Sequence, residues 1–353
     1  MSDPATPQSH EAPDSTATAE KPPLLEVEDL VMHFAATNAV GSSKGVVHAV
    51  DGVTFSVHEE ETLAIVGESG CGKTTLGRCL VRLYDPSSGT IRFRGNDVTH
   101  VSERAFRPLR SEIQMVFQDP YSSLNPRKRV GAIIGDVLRA HDACDRGDVA
   151  AEVEKLLARV GLRPEHASRR PRSFSGGQRQ RIGIARALAL RPRLVIADEP
   201  VSALDVSIQA QIVNLLDDLH EEYGLTLVLI AHDLGLVRHI ADRVAVMYLG
   251  KLVEVGTTDA LNERPIHPYT EALLSAIPIP DPVASAKRKR IVLEGDLPSP
   301  LDPPAGCRFH TRCRYATDVC RTVEPPLVDH GGRLAACHHP LNVDPPSKEA
   351  TET

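Results

Sequence analysis

Three short apolar runs frame this chain, and each ends in residues of distinctive chemistry. Thr62-Leu63-Ala64-Ile65-Val66, Leu194-Val195-Ile196-Ala197 and Thr226 to Ala231 are rich in strand formers. They read as strands buried on both faces of a parallel sheet. Leu25-Glu26-Val27-Glu28-Asp29-Leu30, Val53 to Val57 and Thr90 to Arg94 alternate instead, which predicts half-buried strands of an antiparallel layer. Helical spacing follows the first buried run at Leu76, Cys79, Leu80 and Leu83. From about Arg107 to Ala189 the pattern is helical, interrupted by loops at Asp119-Pro120 and Asn125-Pro126. Within it Val149, Val153, Leu156, Leu157 and Val160 share one face. Further on, Ile182, Ala185 and Leu188/Ala189 predict a buried face opposite Arg179, Arg181 and Arg186. A later helix carries Ile208, Ile212, Leu215, Leu216 and Leu219, and two strands, Val244 to Tyr248 and Leu252 to Val255, meet at Gly250.

Composition narrows the class. The chain has 353 residues, 41% hydrophobic and 25% charged, as expected of a soluble globular protein with a large core. A net charge of −7, no Trp and only 4% aromatic residues argue against a nucleic-acid partner held by charge or base stacking. No apolar run reaches the roughly 20 residues needed to cross a bilayer. Residues 1–23, rich in Pro, Ser, Thr and Ala, lack the apolar core of a secretory signal and are expected to be a disordered tail. Residues 24–262 are expected to form one α/β unit, with a helical subdomain at about 107–189. Prolines cluster after that, so residues 263–353 are expected to be a loop-rich extension.

The ends of the buried runs carry the chemistry. Gly67-Glu68-Ser69-Gly70-Cys71-Gly72-Lys73-Thr74-Thr75 lies between a strand and a helix and fits the phosphate-binding pattern G-x-x-x-x-G-K-[ST]. Glycines let successive backbone N–H groups point at phosphates, the helix adds its positive end, Lys73 reaches the β/γ phosphates and Thr74 can hold Mg²⁺. The second run ends in Asp198-Glu199, suited to supporting Mg²⁺ and to orienting an attacking water. The third ends in His232. Carboxyl ends of parallel strands line the ligand crevice, so these distant positions should meet. Phe34, at the end of the first strand, could stack on a nucleotide base or be an ordinary core residue.

The order of motifs resembles the ATP-binding subunit of an ABC transporter over about Leu24 to Thr258. Gln118 of Phe117-Gln118-Asp119-Pro120 matches the Q-loop, and Ser175-Gly176-Gly177-Gln178 the signature motif, with Phe174 where the family commonly has Leu. Asp198 and Glu199 match the Walker B strand and its catalytic glutamate, Ser202 to Asp205 the D-loop and His232 the switch histidine. The resemblance implies a P-loop ATPase core with an antiparallel β layer and a helical subdomain. Gly67, Ser69, Gly70, Cys71, Gly72, Lys73, Thr74 and Thr75 would hold ATP. Thr74, Gln118 and Asp198 would serve Mg²⁺. Glu199, His232 and Gln118 would act in hydrolysis, and Ser175 to Gln178 with Asp205 would serve a site shared with a second subunit.

A narrower resemblance rests on Phe117 to Pro126, on His267-Pro268-Tyr269-Thr270-Glu271-Ala272-Leu273-Leu274, and on Gly295 to Pro300 leading into Gly306-Cys307-Arg308-Phe309-His310-Thr311-Arg312-Cys313. These are similar to peptide and nickel importer ATPases. The implied role is powering oligopeptide or dipeptide import from the cytoplasmic face of the membrane; nickel or another small solute, or a non-transport ABC ATPase, are the alternatives. The implied partners are a second, non-identical ATPase, two permease subunits and, indirectly, an extracytoplasmic peptide-binding protein.

Seven cysteines include four late ones, Cys307, Cys313, Cys320 and Cys337, separated by five, six and sixteen residues. That spacing lacks the C-x₂-C pairs of a zinc ribbon. Four thiolates could hold Zn²⁺ or an iron–sulfur cluster, or stay reduced and buried, and His310, His330, His338 and His339 lie close in sequence. The family resemblance implies a 4Fe–4S cluster here, acting as a structural staple. Lys287 to Arg290 forms a basic run expected to be a solvated linker face.

Overall fold

The computed structural model describes residues 22–37, 43–202, 204–277 and 290–343. All but Pro22 and Pro23 of the expected tail at 1–23, most of the basic run (287–289) and the C-terminal residues 344–353 lie outside these. Strands β1 (Leu25–Thr37) and β2 (Ser43–Val57) pair in antiparallel register from Leu25 opposite Val57 to Thr37 opposite Ser43. With β4 (Ser88–Phe93) and β5 (Asn96–Asp97) they form a four-stranded sheet of order β2-β1-β4-β5. The β4–β5 turn, Arg94-Gly95, has both φ angles positive (53° and 73°), the geometry that matches strand twist in a two-residue hairpin.

A second sheet contains β3 (Thr62–Val66), β6 (Ile113–Val116), β7 (Leu194–Asp198), β8 (Thr226–Ala231), β9 (Arg243–Tyr248) and β10 (Lys251–Thr257), together with the short β11 (Val328–Asp329) and β12 (Leu334–Ala335). Its order is β11-β12-β10-β9-β3-β8-β7-β6. Neighbours from β9 to β6 run parallel, and β10, β12 and β11 are added antiparallel. Alternate residues of one strand serve two cores. Ala64 and Val66 face the helical layer built on residues 130–219, while Leu63 and Ile65 face the first sheet and the helix Lys73–Leu80. Being buried on both sides is what makes these strands continuous apolar runs.

Several expectations need correction. The stretch 107–189 is not helical throughout: Ile113–Val116 is a strand paired in parallel with β7. Four residues with a polar Gln114 inside are too few to show a period of two. Leu83 lies beyond the helix Lys73–Leu80 and is 48% exposed, so it does not extend that buried face. The helix Gly176–Leu188 is not polar on the side carrying its arginines. Arg179 is buried, and its guanidinium donates to the carbonyls of Pro171 and Arg172. An arginine that satisfies loop carbonyls can sit in a core that hydropathy alone would deny it. Consistent with a loop-rich extension, the residues after 263 also reach the main sheet, since β12 pairs with β10 and Phe309 packs in the same cluster as β3 and β8.

Candidate functional site

The phosphate-loop pattern lies where β3 ends and the helix Lys73–Leu80 begins. Two of its glycines are dictated by close approach. A Cβ on Gly67 would stand 2.1 Å from the Met247 carbonyl oxygen, and one on Gly72, whose φ is +107°, would stand 1.9 Å from that of Ala49. Ser69 and Gly70 form the exposed lip, and Thr75 is half-buried in the helix's first turn. The Cys71 thiol is buried, which raises its pKa, so it packs rather than reacts. Lys73 is 3% exposed and donates to the carbonyls of Gly67 (2.8 Å) and Glu68 (3.0 Å).

The ends of the other strands come to this loop. The Thr74 hydroxyl donates to Asp198 Oδ1 at 2.9 Å. Asp198 is 1% exposed, and burial raises its carboxyl above the usual range while the Thr74 bond pulls it down. Glu199 follows with φ of +41°, unusual for a residue with a side chain, and its N–H is fixed on the Ile230 carbonyl at 2.9 Å. Its carboxylate lies 3.8 Å from Lys73 Nζ and 3.9 Å from His232 Nδ1, and accepts from Gln118 Nε2 at 2.8 Å. The sheet therefore brings Lys73, Thr74, Gln118, Asp198, Glu199 and His232 into one chain of contacts. Hydroxyl, carboxamide and carboxylate oxygens suit a hard Mg²⁺ ion, and a carboxylate with a histidine beside it suits handling of a water proton.

Phe34 is half-buried, with its ring edge-on to Tyr84 at 5.4 Å. It stands opposite Val47 on β2, two residues before Ala49, whose carbonyl crowds Gly72. It is therefore near the loop without being a core residue.

Ser175, Gly176, Gly177 and Gln178 lie elsewhere, at the start of the helix Gly176–Leu188. Ser175 is exposed and closes a capping box with Gln178: its hydroxyl accepts the Gln178 N–H, and the Gln178 side chain accepts the Ser175 N–H. Gly177 is needed because a Cβ would meet Ile208 at 2.5 Å. Among the described residues no hydrogen bond or ion pair joins this turn to the Lys73 cluster. Asp205 is exposed at the start of the helix Val206–Tyr223 and makes no side-chain capping bond.

The four late cysteines are all free thiols. They converge: Cys307 N–H donates to the Cys320 carbonyl at 2.8 Å, and burial pushes Cys307 up to about 11 and Cys337 to about 12, each raised further by the neighbouring cysteines. A cation would relieve that cost, so the donor set fits a thiolate-bound metal group. Among the described residues the tight set, with ligand atoms within 4.8 Å, is His33, His48 and Asp51, and Arg308 already places its guanidinium on that carboxylate. His338 and His339 direct Nε2 at Val323 O and Thr317 Oγ1.

Sequence spacing missed the contacts that Tyr269 and Arg312 make with Glu68 of the phosphate loop. Their only signal was that both stood in motifs where neither had been given a role of its own.

Comparison with known proteins agrees with this geometry. Residues 50–202 match the family model "ABC transporter", and residues 253–320 match "Oligopeptide/dipeptide transporter, C-terminal region". The chain is 53% identical over 323 residues to the oligopeptide transport ATP-binding protein AppF of Bacillus subtilis, covering 91% of this chain and 98% of that protein. It is 50% identical to OppF of Salmonella typhimurium, an oligopeptide transport ATP-binding protein (91% and 97% covered), and 50% identical to the dipeptide transport ATP-binding protein DppF of Escherichia coli (89% and 94%). Among solved structures it is similar to the ATP-binding cassette MJ0796, in a dimeric post-hydrolysis state bound to ADP and Pi, with a TM-score of 0.60 and 25% identity over 66% of this chain and 98% of that one.

Proposed function

The chain belongs to the family of ABC-transporter ATP-binding proteins that includes those of oligopeptide and dipeptide transport, and on that premise we propose that it hydrolyses ATP to power import of such peptides. The observation that carries the reading is the meeting of Lys73, Thr74, Gln118, Asp198, Glu199 and His232 at the carboxyl ends of four parallel strands, β3, β6, β7 and β8. ATP binds through Lys73 and the amides of Gly67 to Thr75. Thr74, Gln118 and Asp198 would hold Mg²⁺, which supplies charge neutralisation at the β and γ phosphates. Glu199 accepts a proton from the water that attacks the γ phosphorus, and Gln118 fixes the carboxylate for that task. His232 contacts the γ phosphate. Phe34 meets the base.

Ser175, Gly176, Gly177 and Gln178, with Asp205, serve the ATP of a second subunit docked head to tail. The exposure of Ser175, and the absence among the described residues of a bond from this turn to the Lys73 cluster, support this role. Helix N-terminal amides and the Ser175 hydroxyl are apt donors to a phosphate. The partner is a second, non-identical ATPase. Both bind a permease of two subunits fed by an extracytoplasmic peptide-binding protein, so the chain sits peripherally at the cytoplasmic face. No described helix is long and apolar enough to cross a membrane, which is consistent with that placement.

Cys307, Cys313, Cys320 and Cys337 are proposed to hold a 4Fe–4S cluster as a staple for residues 306–337. Their convergence and their free thiols support a thiolate-bound group, with Zn²⁺ as the alternative occupant. Anaerobic purification with iron and sulfide analysis tests it; colourless, iron-free protein from aerobic and anaerobic preparations alike defeats it. The transport reading is tested by reconstitution with its permease in liposomes. Peptide-loaded binding protein should stimulate ATP hydrolysis and drive peptide uptake; stimulation by another solute alone would overturn it.

A further inference from the structure

The strand-end cluster explains where Lys73 lies but not what holds the loop beneath it. The peptide unit between Gly67 and Glu68 is gripped at both polar atoms. Its carbonyl accepts from Lys73 Nζ at 2.8 Å, and its N–H donates to Tyr269 Oη at 2.9 Å. The Glu68 carboxylate pairs with Arg312 Nη1 at 2.7 Å. These two partners stand 201 and 244 residues further along the chain.

Both grips are themselves anchored. Tyr269 is fully buried, and its ring packs against Tyr248 and Phe309 with centroids 4.8 and 5.3 Å away. Burial raises its phenol, so the hydroxyl is neutral and can accept the Glu68 N–H. The Tyr269 helix, Pro268–Ser275, is fixed at its start by His267, whose Nδ1 accepts the Tyr269 N–H at 3.1 Å. Burial lowers His267 to about 3, which leaves the ring uncharged for that role. Glu254 of β10 in turn accepts the N–H groups of Ile266 and His267, both at 2.8 Å. Arg312 is only 9% exposed and Glu68 29%, so the pair is partly shielded from water.

We propose that Tyr269 and Arg312 are positioning residues of the ATP site. They fix the plane of the Gly67–Glu68 peptide that anchors Lys73, and they make nucleotide affinity depend on the segment after residue 263. Arg312 has a second effect. Glu68 places a carboxylate in a loop that must receive a triphosphate, and the guanidinium neutralises that charge. The inference rests on the reading of Gly67 to Thr75 as the ATP site.

The test measures the MgATP dissociation constant by calorimetry and the thermal midpoint, on the full chain. Wild-type protein that binds no ATP would refute the site itself, separately from this inference. Given wild-type binding, Arg312→Gln should weaken ATP binding about tenfold, because a charged hydrogen bond is lost and Glu68 is left uncompensated. Glu68→Gln with Arg312→Gln should recover most of that loss, which repair of packing alone would not do. Tyr269→Phe keeps the ring but orphans the Glu68 N–H, and should raise KM for ATP about tenfold while leaving kcat at saturation near wild type. Wild-type affinity in these variants with only a lowered thermal midpoint overturns the proposal. If Tyr269→Phe does not fold, the Arg312 pair decides: no recovery in the double variant overturns it.

Discussion

Gly67 to Thr75 and Ser175 to Gln178 are glycine-containing turns that each open a helix, and both are proposed to serve ATP phosphates. Their surroundings differ. The first is enclosed: Lys73 is 3% exposed, and the loop meets a buried Asp198 and a Glu199 with positive φ at the end of β7. The second is open and relaxed, with its polar groups satisfied by a capping box inside one turn of helix. An enclosed, strained cluster is where chemistry is prepared; an exposed, self-satisfied turn is a surface waiting for a ligand brought by something else. Under the proposed function, a site divided this way would make ATP the contact between two subunits rather than a ligand of one.

Four substitutions test that contrast, taken from the largest expected effect. Glu199→Gln should preserve ATP binding yet slow phosphate release by about 10²–10⁴-fold, the usual contribution of a positioned general base. Wild-type turnover would remove Glu199 from the chemistry. Lys73→Ala should weaken ATP binding itself by about 10–100-fold in calorimetry, since a buried charge-assisted donor is lost. Ser175→Ala should behave differently: ATP affinity of the dilute single chain stays at the wild-type value, while turnover in the assembled pair falls about tenfold. It should also cost about 1 kcal/mol of stability as a lost helix cap. A drop in single-chain affinity as large as that of Lys73→Ala would erase the contrast.

The smallest effect sharpens the claim of strain. Burial holds the Asp198 carboxyl above its ordinary 3.8, so the folded chain keeps that proton to higher pH than the unfolded chain. Stability from this group is present below the unfolded value and is lost as pH rises through the folded one. Asp198→Asn cannot ionise, so without Mg²⁺ it should gain on wild type in urea midpoints as pH is raised from about 4 to 7. Parallel curves would show that Asp198 carries no such strain.

Much of this was legible in advance for a physical reason. Strands buried on both faces leave long apolar runs, and a phosphate loop imposes glycines at positions where a Cβ would strike a neighbouring carbonyl, as at Gly67 and Gly72. The strand Ile113–Val116 was not legible, because four residues carry no period. Buried Arg179 was not legible either, because its partners are carbonyls of a loop that hydropathy does not register.

The sequence by itself determined the α/β class, the phosphate loop, the acidic strand end and the family to which they belong, since each depends on residue types at short spacing. Only the tertiary structure decided that Gln118, Glu199 and His232 share one carboxylate, that Ser175 stands apart from them, and that Tyr269 and Arg312 grip Glu68 from more than 200 positions away. Such contacts depend on how distant segments pack in the sheet and its edges, and no local pattern in the chain encodes that placement.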